Sequence, residues 1–493
     1  MPRLILLLKS LKNNLLSFWV ACLVISTTFA SPSIQQIDEK VFTENLVTIQ
    51  KTIEPTITIA DMRLPPQTGK IAISAMFSAQ HGSWPFESFA INNLFRVIAT
   101  YQANHPRMIT IKGGTITLEQ LNKHINNQQV IRPFQDGYLL SYPLMIEEDA
   151  ALLLENTSLY LYGHSGTAII NRGILSIQKA KVESWFDNRP AYVINNTVFR
   201  PFIMNWGGSR LQIIDSKFAK LGYNAYLVQG ITTAINNNQP TKLPIQVEIK
   251  NSDFSALSAL NLKNALVSID NSTIHTFQQY GVDLIDSQFT IANNKIQGIK
   301  NNSGIRIQGN TQGIIDGNVI FTANKSAIET QHVSGKLVIR NNILAKDSRH
   351  GVLLTQSDAK VLIKNNLFTK LTGTAIESNE FSGAAYIVDN TIQDIPEYAV
   401  SFRNVTKQQN ANLLFYNNKI AKIRKAILRT IGIGNISLGH NKLLGSQLYQ
   451  NLLIGDLLPI QGAILEATEK YECIVEVNTF LSTKSNLNFQ TCK

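Results

Sequence analysis

Short apolar runs alternate with breaks centred on Asn, Asp and Gly along most of the chain, and the breaks recur at a nearly fixed interval. The phrases IDNSTI (269–274), IANNKI (291–296), IDGNVI (315–320), IRNNIL (339–344), IKNNLF (363–368), VDNTIQ (388–393), FYNNKI (415–420) and LGHNKL (438–443) align with one another. Their key asparagines, Asn271, Asn294, Asn318, Asn342, Asn366, Asn390, Asn418 and Asn441, are separated by 23, 24, 24, 24, 24, 28 and 23 residues. INNTVF (194–199), IIDSKF (213–218) and IKNSDF (249–254) are less regular, earlier members. A second landmark follows each asparagine by eight to ten residues: GVD (281–283), GIR (304–306), AIE (327–329), GVL (351–353), AIE (375–377), AVS (399–401) and AIL (426–428).

Val/Ile/Leu runs with period-two alternation predict strands. The Asn, Asp and Gly breaks suit left-handed turn conformations. About two dozen residues with some three short strands make one coil of a right-handed parallel β-helix, an all-β solenoid whose inward aliphatics form one continuous core. Leucine-rich repeats would need a denser leucine pattern and a helix per unit, and propeller blades would be longer. The coils are expected over 131–460, with a C-terminal cap over 461–493. Residues 31–130 read as an N-terminal α/β cap. INNLFRVIATYQ (91–102) has helical apolar spacing, and KGGTITLEQLNKHI (112–125) predicts a strand, a Gly turn and a helix begun by Thr117 with Gln120 as its capping-box partner.

Residues 1–30 read as a signal peptide: Arg3, Lys9 and Lys12, then the apolar LLSFWVACLVI (15–25), then small residues at Thr28 and Ala30. The apolar run is too short for a membrane span. The expected location is therefore the periplasm or the medium. Removal of the leader leaves Cys473 and Cys492, an even number in an oxidising compartment, read as a disulfide. No cysteine or histidine spacing points to a metal, and no cofactor is expected. The leader carries three of the 45 basic residues and none of the 34 acidic ones, so the net charge falls from +11 to +8. A mildly basic exported chain attracts anionic polymers. Nucleic acid is excluded as the partner by the lack of a Lys/Arg block or an aromatic-basic motif.

In a β-helix, equivalent outward positions stack one coil above another. The residue after each small-apolar landmark gives the column Asp283, Arg306, Glu329, Leu353, Glu377, Ser401, Leu428, and the residue two further on gives Ile285, Gln308, Gln331, Thr355, Asn379, Arg403. The strand spacing, about 4.8 Å, is near the length of one sugar in an extended polysaccharide. The same alternation also describes a plain solvated sheet face.

RPFIMNWGGSRLQIIDSKFAKLGYN (200–224), MITIKGGTITLEQLNKHI (108–125) and YLLSYPLMIEEDAALLL (138–154) resemble segments of the periplasmic mannuronan C5-epimerases of alginate biosynthesis, and the resemblance runs over about residues 105–450. It implies a β-helix that converts D-mannuronate to L-guluronate within a polymer. That reaction needs a base for the C5 proton, an acid on the opposite face, and a cation or donors on the carboxylate. The family's motif, Y-G-I-D-P-H-D followed one coil later by K-H-G-I-I-V-S-R, falls on residues 326–332 and 349–356. Ser326 then takes the Tyr place, Glu329 the first Asp, Thr330 the Pro, Gln331 the His and His332 the last Asp. His350 keeps its His, while Gln356 replaces the Arg that neutralises the carboxylate. An amide neither titrates near neutrality nor carries charge. In a second register, YGVDLIDS (280–287) puts Asp283 and Asp286 in the Asp places and Ile285 at the His.

Three functions follow. In a rewired epimerase, His350 or His332 is the base or acid, Glu329 orients, and Arg306 or Arg349 supplies the cation. In a non-catalytic protein, Arg306, Gln331, Gln356, Arg349, Glu377 and Arg403 bind an anionic polysaccharide, a polyuronate, within a polysaccharide-export complex. In a lyase or hydrolase, Glu329 and Glu377 are the carboxylate pair, two coils or about 10 Å apart. Trp206 is expected to pack rather than stack on sugar.

Overall fold

The computed structural model of the protein describes residues 32–76, 85–187, 189–190, 198–236, 243–444 and 452–480. The leader and Cys492 lie outside the described residues. The described chain is mostly strand, wound into a parallel solenoid of about 12 turns with ~24 residues per turn. Each regular coil supplies three strands. Val282–Ile285, Ile305–Gln308, Ser326–Gln331, His350–Ser357 and Ile376–Phe381 are neighbours in the sheet that carries the predicted stripe, called here the groove sheet. Gln288–Ala292, Gln312–Asp316, Lys336–Arg340, Lys360–Lys364 and Ala384–Val388 stack in a second sheet, and Lys295–Ile299, Val319–Ala323, Ile343–Ala345 and Leu367–Thr369 in a third.

The coil corners explain the asparagines. Buried Asn294, Asn318, Asn342, Asn366, Asn390 and Asn418, with half-buried Asn441 at the end, form a ladder in which each Nδ2 donates to the next Oδ1 at 2.9–3.0 Å. The same Oδ1 also accepts a backbone N–H from the preceding coil, as Asn342 Oδ1 does from Asn318. Buried polar groups survive only when satisfied in this way. Asn271 does not belong to the ladder. It stands one position earlier, in the left-handed conformation with φ 46°, and Ser272 holds the ladder place through its hydroxyl. Ser216 and Ser252 extend the row towards the N-terminus.

The N-terminal region divides between the two ends. Helices α1 (Glu87–Ile91) and α2 (Leu94–Tyr101) pack Phe89, Leu94 and Ile98 over Met145, Ile170, Met204 and Trp206 on the outer face of the first groove-sheet coils. The capping-box helix Leu118–Ile125 begins at Thr117, whose hydroxyl accepts from the Gln120 N–H while the Gln120 carboxamide accepts from Thr117 N–H. Residues 33–53 depart from the single-cap reading of 31–130. Ser33–Ile37 pairs antiparallel with Ile474–Asn478, which itself lies antiparallel on the last coil, so residues 33–37 sit at the C-terminal end of the solenoid. The following helix, Glu39–Ile53, is a strap along the second sheet, burying Phe42, Leu46 and Ile53 against Val338, Leu362, Val388 and Leu414. Each such apolar side chain contributes about 2 kcal/mol when removed from water. The surface that matches this helix is some 300 residues away in the chain (Lys336 Nζ donates to Thr52 O over a separation of 284). Cys473 is buried and disulfide-bonded.

Candidate functional site

The predicted stripe exists as two columns of outward side chains. Cα partners run Asn261–Asp283–Arg306–Glu329–Leu353–Glu377–Ser401 in the first and Ile285–Gln308–Gln331–Thr355–Asn379–Arg403 in the second. The residue after Ser401 in the first column is Arg429, not Leu428: Ser401 pairs with Arg429, and Leu428 points into the core. The landmark of that coil is Ile427, nine residues after Asn418, the spacing that Gly351, Ala375 and Ala399 keep from their asparagines. Reading Ala426 as the small residue shifted the column by one. On earlier coils the same face is covered by α1 and α2, so the open groove starts near Asn261.

A third column runs along the groove's edge, where Ser326 and His350 are Cα partners. Tyr280 and Ser303 precede them, and Thr374 and Tyr398 follow. Sequence reasoning left this column out, although its residues stand immediately before the small-apolar landmarks.

Around Asp283 the groove is closed by internal bonds. Arg306 donates Nε to Asp283 Oδ1 at 2.8 Å and Nη2 to Oδ2 at 2.6 Å, a bidentate pair, and Nη1 to the Tyr280 hydroxyl at 2.9 Å. Its guanidinium lies 3.9 Å from the Tyr280 ring centroid, and Asn261 donates to Asp283 Oδ2 at 2.9 Å. Burial pushes the Asp283 carboxyl up, opposed by Arg306, whose own proton is held more tightly by the pair. Glu329 accepts from Ser303, and Gln331 accepts from Gln308 Nε2 at 2.6 Å.

The two candidate histidines are not brought together. His332 sits at the coil corner, exposed, with φ 51°, and Gln356 occupies the same corner one coil on with φ 48°. Both turn off the groove face through this left-handed conformation, His332 just past the end of Ser326–Gln331 and Gln356 within His350–Ser357. His350 lies at the opposite edge of the sheet, 9% exposed, with Nδ1 unpartnered. Arg349 is exposed in the turn before it. Glu329 and Glu377 share a column with Leu353 between them. Burial, with Arg349 adding to it, lowers the His350 imidazole from 6.5 to about 4. Because that value lies below the unfolded one, the unfolded chain takes up this proton first. Stability from His350 is complete above about pH 6.5 and falls as the pH drops towards 4, by about 3 kcal/mol over the window. Urea unfolding at pH 7 and pH 4.5 should show that loss, and His350→Gln should remove its share of the slope.

Among the described residues no group of three or more His, Cys, Asp or Glu is placed to hold a metal ion, and no helix is long and apolar enough to cross a membrane.

Comparison with known proteins bears on this groove. Residues 201–391 match the right handed beta helix region family. The mannuronan C5-epimerase of Pseudomonas syringae is 25% identical over 257 residues, 49% of this chain and 46% of that protein. That of Pseudomonas putida is 25% identical over 276 residues, 53% of each, and that of Pseudomonas aeruginosa 28% over 135 residues, 27% of this chain and 25% of the relative. The chain thus matches at most about half the length of these relatives. The crystal structure of the periplasmic alginate epimerase AlgG superposes with a TM-score of 0.67 over 79% of this chain and 95% of that one, at 19% identity, which establishes a shared fold.

Proposed function

From this likeness to the mannuronan C5-epimerases, we propose that the chain is an alginate-related β-helix that binds a linear polyuronate along its groove sheet, without the family's proton abstraction at residues 326–332. The observation that carries this reading is the internal satisfaction of the groups at that place. Loss of a C5 proton builds negative charge on the uronate carboxylate, which a free cation must hold. Arg306 is already tied to Asp283 by two hydrogen bonds, Gln331 is bonded to Gln308, and Gln356 is uncharged and turned into the corner. No imidazole stands in the column where the motif has its histidine: Gln331 and Ile285 fill both registers. What supports binding is the open row of polar side chains at strand pitch, close to one sugar per coil.

The location that goes with this function is the periplasm, with a place in a polysaccharide-export complex. Proton NMR of polymannuronate incubated with the protein should show no guluronate anomeric signals, while titration shows binding that weakens with salt. Appearance of guluronate would overturn the reading and favour the second one. In that alternative, His350, neutral and at the groove edge, takes the proton. His350→Ala and His332→Ala would then be compared for turnover.

A further inference from the structure

Resting on the polyuronate reading, we infer that Arg403 and Arg429 form a carboxylate subsite of the groove, with Tyr398 and Glu377 as its floor, three to five coils beyond Arg306. Its ligand is the carboxylate of one uronate unit in an acidic polysaccharide.

The argument is one of charge left available. The groove sheet has three arginines on its open columns. Arg306 is neutralised by a carboxylate that is 1% exposed. Among the described residues, Arg403 and Arg429 make no ion pair. Arg403 is exposed and donates only to Asn379 Oδ1, at 3.1 Å. Arg429 lies with its guanidinium 5.4 Å from the Tyr398 ring centroid. Lys425 Nζ lies 5.3 Å from the same ring but is also 3.2 Å from Glu397. The ring thus holds Arg429 by a cation–π contact while leaving its donors open, and such a preorganised fork suits a carboxylate. Arg403 and Arg429 stand on adjacent coils and adjacent columns, roughly 8 Å apart at Cα from strand rise and spacing. One carboxylate fits between two side chains of that length.

Glu377, the acid nearest in the first column, is half-buried, and burial pushes its carboxyl up against the pull of Ser401, Thr374 and the two arginines. Any negative charge it carries competes with the ligand. The stripe therefore changes character along its length, from an internally paired half around Arg306 to a half with cations facing solvent.

Calorimetric titration of the full chain with a short oligomannuronate at low salt tests this, with an oligogalacturonate and a neutral manno-oligosaccharide as second and third probes. Arg403→Ala and Arg429→Ala should each weaken oligomannuronate binding about tenfold, and the pair about a hundredfold. Lysine at either position should recover part of the loss, since charge returns without the fork. Glu377→Gln should tighten binding several-fold, a gain that a merely structural role would not produce. The neutral sugar should bind the wild type and the double variant alike. A double variant that melts like wild type and binds the oligomannuronate equally well overturns the subsite and leaves the groove reading standing. A wild type that binds neither acidic probe overturns the groove reading, and the subsite with it. Equal loss for both acidic probes assigns the site to uronate carboxylates in general.

Discussion

Replacing Asn342 with leucine should lower the unfolding free energy by about 4–5 kcal/mol, whereas Asn341→Gly, one residue away, should cost less than about 1 kcal/mol. Asn342 donates Nδ2 to Ile315 O at 2.9 Å and to Asn366 Oδ1 at 3.0 Å, and its Oδ1 accepts from both the backbone N–H and the Nδ2 of Asn318. Leucine leaves the buried Asn318 N–H without its partner and removes one hydrogen bond each from the Asn318 amide, the Asn366 Oδ1 and the Ile315 carbonyl, the stranded N–H alone costing about 1–3 kcal/mol. It also breaks the row at its centre, and stability in a solenoid depends on each coil's contact with the next. Asn341 is exposed, has φ 57°, and its side chain bonds only to Asp316 and Asn365 at the surface, so glycine keeps its backbone conformation. Urea titration followed by circular dichroism measures the difference, and limited proteolysis should show new cleavage near the broken coil for the leucine variant alone. Equal effects at the two sites would mean that the ladder is a passenger of aliphatic stacking.

Removing the Asp283 carboxylate is the second large effect. Asp283→Ala should destabilise the chain by about 3–5 kcal/mol, because it strands the Arg306 guanidinium, whose side chain is 19% exposed, without its bidentate partner. Asp283→Ala combined with Arg306→Met should recover most of that loss, since two apolar groups replace a buried pair at little net cost. A double-mutant cycle in urea isolates the coupling. Additive losses would show that the pair is not a coupled unit, and Arg306 would then be free to hold a ligand. Oligomannuronate affinity of the double variant is informative beside this. It should stay near that of wild type, because the binding charge lies at Arg403 and Arg429.

These effects trace back to different layers of information. The ladder asparagines were legible because a solenoid repeats one local problem: each corner needs the same buried donor and acceptor, so the same residue returns every coil. The columns were legible for the same reason, as far as the period held. The reading slipped at Asn271 and at Leu428, where one residue's displacement in a corner or landmark changed which side chain faced out. Spacing from the ladder would have placed Arg429 correctly.

Pairing along a column was another matter. A sequence shows Asp283 and Arg306 in consecutive coils, but whether they bind each other or a ligand depends on rotamers, burial and the Tyr280 ring against Arg306. His332 and His350 were alternative candidates for base or acid because the family motif, laid on this chain, falls on both. The strand's width separates them, and the left-handed corner turns His332 away.

The amino-acid order by itself determined the period, the strand faces, the aliphatic core and the buried polar corner, because these follow from local periodicity repeated against an identical neighbour. Only the tertiary structure decided that residues 33–53 strap the far end, that α1 and α2 cover the first coils of the groove sheet, and that Arg306 is neutralised while Arg403 and Arg429 are not. Those outcomes depend on contacts between segments of unlike sequence, or on competition between a side chain's internal partner and solvent, and no spacing along the chain encodes that.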